Sequence, residues 1–398
     1  MDYACKKIKN TNAVISVPGS KSVTARAMLL SAIAEGESTL YGVSLCDDCL
    51  TFLNCLKSLG IESELKGDTL KITGCGGRLK IAEAEINVGS AGTAARFLPA
   101  FLAFQEGKFT VKCSEQMKKR PVAPLVQALK KLGAKITFLE SENCFPLVIE
   151  GGISAYQVEV DIQKSSQFLS ALLISAVCAK KPVKIKAKGT HGMGYVNMTL
   201  DMMWSFGVTV KENSNIYEVF GKYSPKKYDI EPDVSSACYF YAMNRLLGTN
   251  LKVKGLMPHS MQSDCKFIEL IKTFDGGKID MGSFSDQALT MAACAPFFSE
   301  PTQICGVAHI RGQECDRISA ICENLKNAGV KCEEREDGVI IYPSKFNPVR
   351  VNTFGDHRVA MSFAIAGLAS EGVVIENAQV CSKTFPDYFE ILDRLWKE

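Results

Sequence analysis

Six apolar, alanine-rich stretches recur along the chain, each opened by a polar cluster. They begin near Ser20 (SKSVTARAMLLSAIA), Ser90 (SAGTAARFLPAFLAF), Ser165 (SSQFLSALLISAVCA), Ser235 (SSACYFYAMNRLLG), Asp286 (DQALTMAACAPFF) and Asp356 (DHRVAMSFAIAGLA). The intervals are 70, 75, 70, 51 and 70 residues. A period of this size marks a supersecondary unit that buries its apolar face only by packing against its copies. Ser or Asp at each opening is the expected N-cap. A β-like run follows each stretch, as in KFTVKC, KPVKIKA and TNLKVKGL. A second, amphipathic helix comes next: PLVQALKKLG places Leu125, Ala128, Leu129 and Leu132 on one face, and RISAICENLKNAG does the same with Ile318, Ile321, Leu325 and Ala328.

These second helices close on Gly60, Gly133, Gly207 and Gly329, and a two-strand hairpin reads through after each. The gaps between the glycines are 73, 74 and 122 residues, so one copy is degraded, with its hairpin trimmed at Lys272 to Met281. One unit is therefore strand–helix–strand–helix–strand–strand. Its first helix is apolar nearly all round and so buried on most sides. Six such βαβαββ units in 398 residues predict an α/β chain of two domains with three units each. The charged, Pro-containing passage GKYSPKKYDIEPD (221–233) is the expected crossover. The division is then 16–229 as one domain, and 1–15 with 230–398 as the other.

Basic and polar side chains gather at helix starts rather than along helix faces. First helices open on Lys21, Ser22 and Arg26; on Thr93 and Arg96; on Ser165, Ser166 and Gln167; on Asp286; and on Asp356, His357 and Arg358. Second helices open on Arg120, on Tyr195, on Glu314 with Arg317, and on Lys383. A helix N-terminus already carries positive partial charge, so cations there are unfavourable unless an anion offsets them. Taken singly, each arginine reads as a solvated side chain or structural ion pair, and Asp286 and Asp356 read as caps. Five basic groups at corresponding places, Lys21, Arg120, Arg317, Arg358 and Lys383, point instead to a shared site for phosphate or carboxylate.

Other signals are weaker. CDDC (46–49) is a C-x-x-C with no second pair, against a metal site. THGMG (190–194) is half a phosphate loop without its continuation. Trp204 reads as core. The sixteen cysteines are irregularly spaced and read as reduced, buried thiols of a cytoplasmic protein. No apolar run reaches the ~18 residues of a membrane span. A net charge of +3 does not argue for nucleic acid, and a DNA clamp would spread Lys and Arg along helices that here are apolar past their first turn.

PGSKSVTARA, SAGTAARFLP, MKKRPVAPL, SSQFLSALL, QECDRI, GDHRVAM and KTFPDYF, in that order, resemble the 3-phosphoshikimate 1-carboxyvinyltransferase (EPSP synthase) family of enolpyruvyl transferases, from about Val14 to Phe389. The resemblance implies a two-domain inside-out α/β barrel. It implies transfer of the enolpyruvyl group of phosphoenolpyruvate to the 5-hydroxyl of shikimate 3-phosphate by addition and elimination, with release of phosphate and with no cofactor or metal. Ser22, Arg26, Ser165, Ser166, Gln167 and Tyr195 would hold shikimate 3-phosphate. Lys21, Arg120 and Lys383, helped by Gln167, would hold the phosphate of phosphoenolpyruvate, and Arg317 and Arg358 its carboxylate. Gly92 would let backbone approach the ligand. Asp286 would be the base at the 5-hydroxyl, Glu314 a proton-transfer partner at the methylene carbon, and Lys21 would share that transfer. His309 and Gln313, where the family often has Asn and Lys, would meet the shikimate hydroxyls, and Gly192 stands where a serine helps bind the 3-phosphate. The site is expected between the domains, and the chain is expected to act as a monomer on small molecules alone, without nucleic acid or membrane. The alternative acceptor is a UDP-sugar, whose enzymes usually carry Asn beside the first lysine and Cys five residues before the loop arginine. This chain has Ser22 and Glu115 there.

Overall fold

The computed structural model describes every residue except 9, 10, 121, 258 and 398. The chain divides into two units, Met1–Pro18 with Pro232–Glu398 (unit 1) and Gly19–Glu231 (unit 2).

Unit 2 holds three four-stranded sheets built to one plan. In the second, Glu83–Asn87 runs parallel to Lys108–Lys112, which pairs antiparallel with Leu147–Glu150, itself the partner of Lys135–Phe138. The third repeats this with Gln157–Asp161, Val183–Lys188, Ile216–Val219 and Val210–Asn213. The first has Glu35–Tyr41, Thr69–Cys75 and Glu62–Lys66, but its parallel edge is Lys227–Asp229, from the far end of the unit. The passage read as a bare crossover is therefore partly a strand that closes the first sheet, because a parallel edge has to come from a segment outside the hairpin. The helices Lys21–Ile33, Ala94–Ala103 and Gln167–Ser175 are buried almost throughout, so the layers are inside-out, with helices at the centre and sheets around them.

Unit 1 repeats the plan with gaps. Gly277–Asp280, Thr302–Cys305, Gly338–Ile341 and Cys332–Arg335 form its complete sheet. The start of the chain supplies the others: Asn12–Ile15 runs parallel to Asn250–Val253, and Tyr3–Ala4 caps Val373–Ile375, which is parallel to Val349–Val351. The fourth repeat lacks its hairpin. There the Asn244 carboxamide takes the hydrogen bonds a strand would have made, accepting from Leu251 N at 2.7 Å and donating to Leu251 O at 2.9 Å. Helices Val234–Leu247, Ala288–Cys294 and His357–Ala369 fill the centre of unit 1.

The four closing glycines take φ of 78°, 115°, 92° and 77°, the left-handed conformation that ends a helix without a Cβ penalty. Expected caps fare unevenly. Ser20 accepts from Val23 N and Asp356 from Arg358 N, but the helix after Ser90 is preceded by Thr93 and the helix after Ser165 by Ser166, neither side chain capping, while Asp233 rather than Ser235 caps the fourth. Asp286 lies in a 3-10 turn, Ser285–Gln287, and its carboxylate meets two guanidinium groups, Arg317 and Arg358. Trp204 is 70% exposed and not core, its helix Met193–Ser205 burying the Val196, Thr199 and Met203 side instead. THGMG opens that helix at Gly192 rather than forming a phosphate loop. The sixteen cysteines are free, and none is exposed. Among the described residues no helix is long and apolar enough to cross a membrane, and no three His, Cys, Asp or Glu side chains are placed to hold a metal.

Candidate active site

In unit 2 the predicted residues sit at the starts of the buried helices. Arg26, 2% exposed, lies one turn into Lys21–Ile33. Its Nε donates to Thr199 Oγ1 at 2.8 Å, and its terminal nitrogens donate to the carbonyls of Ser22 and Tyr195, both at 3.1 Å. Its guanidinium also lies 5.2 Å from the Phe97 ring centroid. One side chain thus ties Ser22, Tyr195 and the second central helix together. Every one of these acceptors is neutral, and burial pulls the Arg26 pKa down to about 10.

Lys21 Nζ lies 3.4 Å from Asp48 Oδ2, a carboxylate only 2% exposed. Ser165 Oγ accepts from Gln167 N at 3.3 Å, starting the third central helix. A Cβ on Gly192 would lie 2.6 Å from Ser166 Oγ, at a φ of +64°. A serine at this position would collide with Ser166, so the glycine goes with the serine pair. A Cβ on Gly92 would lie 3.4 Å from an Arg120 terminal nitrogen, so this glycine faces the guanidinium directly.

In unit 1 the groups form one ionic lattice. Arg317, 1% exposed, opens the helix Arg317–Asn327. It donates to Asp356 at 2.7 and 3.3 Å, to Glu314 Oε2 at 2.9 Å, to Asp286 Oδ1 at 3.4 Å, and to Gln313 Oε1. Burial works against its charge, but the carboxylates of Asp356, Glu314 and Asp286 outweigh that and hold its pKa above the usual arginine value. Arg358 donates to Asp286 Oδ2 at 2.7 Å and to Tyr239 Oη at 3.5 Å. Asp286 is thus held between two arginines and remains the most accessible carboxylate of the lattice, its side chain 22% exposed against 10% for Glu314 and 0% for Asp356. His309 Nε2 lies 2.7 Å from Ser285 Oγ, beside the turn that carries Asp286. Lys383 ends the turn Ala378–Lys383 and is 7% exposed.

The structure therefore brings Ser22, Arg26 and Tyr195 together, Ser166 with Gly192, Gly92 with Arg120, and Asp286, Gln313, Glu314, Arg317 and Arg358 together. Sequence reasoning missed Asp48, Thr199 and Tyr239. Asp48 stood in the CDDC motif, which was read for its sulfurs. Asp356 was noted only as a helix-start residue, whereas it is the main counter-ion of Arg317. A buried guanidinium in each unit and a carboxylate between two arginines suit polyanionic substrates and proton transfer at a hydroxyl.

Residues 5–392 match the family model for EPSP synthase (3-phosphoshikimate 1-carboxyvinyltransferase). A protein of Halalkalibacterium halodurans named 3-phosphoshikimate 1-carboxyvinyltransferase 2 is 38% identical, across 96% of this chain and 91% of its own. One of Serratia proteamaculans, named 3-phosphoshikimate 1-carboxyvinyltransferase, is 36% identical across 96% of both. Among solved structures, an EPSP synthase from Acinetobacter baumannii superposes with a TM-score of 0.83 at 24% identity, across 99% of this chain and 98% of that one. The enolpyruvyl transferase NikO from Streptomyces tendae superposes at 0.76 and 13% identity, across 98% and 96%. These two likenesses establish the α/β fold.

Proposed function

The chain belongs to the EPSP synthase (3-phosphoshikimate 1-carboxyvinyltransferase) family and catalyses enolpyruvyl transfer to shikimate 3-phosphate in the shikimate pathway, and we propose that unit 2 binds phosphates while unit 1 binds a carboxylate and carries the proton-transfer groups. The observation that carries this reading is Asp286, a partly exposed carboxylate bridging Arg317 and Arg358.

Unit 2 holds phosphates. Arg26, Ser22, Ser165, Ser166, Gln167 and Tyr195 receive shikimate 3-phosphate, and Lys21 and Arg120 receive the phosphate of phosphoenolpyruvate. Gly92 keeps the face of Arg120 open to that group. Unit 1 holds the carboxylate of phosphoenolpyruvate on Arg317 and Arg358. Asp286 takes the proton from the 5-hydroxyl as the hydroxyl oxygen bonds to the central carbon of phosphoenolpyruvate, while Glu314 delivers a proton to the methylene carbon. The tetrahedral adduct then returns a methyl proton to Glu314 and expels phosphate, which restores the double bond. Holding both polyanions in register removes the entropic cost of meeting, and fixed cations oppose the charge of the leaving phosphate. His309, braced by Ser285, and Gln313 meet the hydroxyls of the acceptor.

Phosphate release measured with phosphoenolpyruvate and shikimate 3-phosphate together and singly tests the assignment: turnover requires both. Asp286→Asn is expected to lower kcat by about 10²–10⁴-fold with phosphoenolpyruvate still bound. Wild-type turnover in that variant removes Asp286 from the role of base.

A further inference from the structure

Behind the turn that carries Asp286 lies a second carboxylate with no part in the mechanism above. Asp264 is 2% exposed. It precedes the short helix Cys265–Ile271 but does not cap it. Its Oδ2 instead accepts from Ser235 Oγ at 2.5 Å and from Gln287 Nε2 at 2.9 Å, while Oδ1 is buried with no hydrogen-bond partner. Gln287 is the last residue of the Ser285–Gln287 turn and the chain neighbour of Asp286, and its other end accepts from Thr290 Oγ1 at 3.1 Å. A buried carboxylate with one oxygen left without a hydrogen bond is costly.

We propose that Asp264 is a positioning residue for the transfer: through Gln287 it fixes the turn that aims Asp286, and its negative charge keeps Asp286 ready to take the proton of the acceptor hydroxyl. The inference rests on the reading of Asp286 as the base. The charged and titratable groups around Asp264 are Asp286 on the turn, Arg358 on the sixth central helix, Asp233 and Cys238 at the start of the fourth, and Cys265 and Lys266 on its own helix. Burial first, and the charge of Asp286 second, raise the Asp264 carboxyl to about 6, with Arg358 and the two hydrogen bonds pulling the other way. Asp264 is therefore charged at neutral pH and takes up a proton just below it. Two interacting carboxyls titrate as a pair, so the acid limb of the rate profile belongs to both.

The test is phosphate release by the full-length enzyme across pH 5–9. In wild type the acid limb of kcat falls with the steepness of two protons. In Asp264→Asn it falls with one proton and is displaced to lower pH by at least about half a unit, with kcat at its plateau down about 3–10-fold and KM for both substrates within about twofold, as expected for a weakened base. Gln287→Leu keeps the charge but loses both the tether and a hydrogen bond to the ionised carboxylate, so kcat drops and the limb moves to higher pH. Ser235→Ala, which removes a hydrogen bond to the ionised form but leaves the tether, raises the Asp264 carboxyl and displaces the limb to higher pH with the plateau kcat kept, and serves if Asp264→Asn does not fold. An unmoved one-proton limb in Asp264→Asn or Ser235→Ala, or a KM change that tracks kcat, overturns the proposal. If Asp286→Asn is inactive at the same time, only the role of Asp264 falls; if Asp286→Asn turns over normally, the base assignment falls first.

Discussion

Arg26 in unit 2 and Arg317 in unit 1 are buried to the same degree, at 2% and 1% exposure, and both sit within the first turns of a helix. Their surroundings are opposite. Arg26 meets two backbone carbonyls and a hydroxyl, and burial drags its pKa down to about 10. Arg317 meets three carboxylates and a carboxamide, and is driven above the usual value in spite of burial. Neutral acceptors satisfy the N–H groups of a guanidinium without cancelling its field, whereas carboxylates cancel it. Arg26 therefore keeps its field, whereas that of Arg317 is offset by its partners. Unit 1 presents a lattice of two guanidinium groups and three carboxylates, of which Asp286 is the most accessible.

The largest effect expected from this contrast is on Arg317. Arg317→Ala leaves the buried Asp356 and Glu314 uncompensated and costs unit 1 about 3–5 kcal/mol, read by chemical denaturation, with turnover abolished. Arg26→Met should instead change unfolding free energy by no more than about 2 kcal/mol, because it removes a buried charge along with three hydrogen bonds to neutral groups. Its affinity for shikimate 3-phosphate, measured by calorimetry, falls by about 10²–10³-fold. Equal destabilisation by the two substitutions would erase the distinction between the units.

Acid sharpens the comparison within unit 1. His357 stands beside Arg358, 2% exposed, with neither ring nitrogen hydrogen-bonded, and burial holds its pKa well below the usual 6.5. The folded state keeps the ring neutral while the unfolded chain takes up a proton below about 6.5, so the stability this residue contributes is present above that pH and is lost as pH falls. His357→Gln should flatten the decline of stability below pH 6.5, by up to about 1.4 kcal/mol per pH unit. An identical decline in the variant would place the acid-sensitive group elsewhere. The smallest effect is at Trp204: with 70% of the residue exposed, Trp204→Ala should stay within about 0.5 kcal/mol of wild type in the same denaturation assay.

Much of this was legible from residue pattern. Period and polarity marked six apolar helices opened by polar clusters, and the structure has a buried helix at each; glycines marked the ends of the second helices, and the missing hairpin after Lys272 was visible as a short interval. The helix-start cations were legible because a cation is anomalous there. Their partners were not. Asp48 meets Lys21 across 27 residues of sequence, Arg26 meets Thr199 across 173, and Asp356 meets Arg317 across 39. Trp204 was misjudged because a bulky apolar residue in a helix says nothing about which face the neighbouring layer covers.

The amino-acid order by itself determined the repeat, the α/β class and the placing of cations at helix starts, since each depends on local periodicity and local electrostatics. Tertiary structure alone decided that Lys227–Asp229 closes the first sheet, that the start of the chain completes the fourth and sixth repeats, and that one buried arginine faces carbonyls while another faces carboxylates. Those outcomes depend on which distant segments share a layer, and burial then makes the charge of whichever partner arrives there decisive.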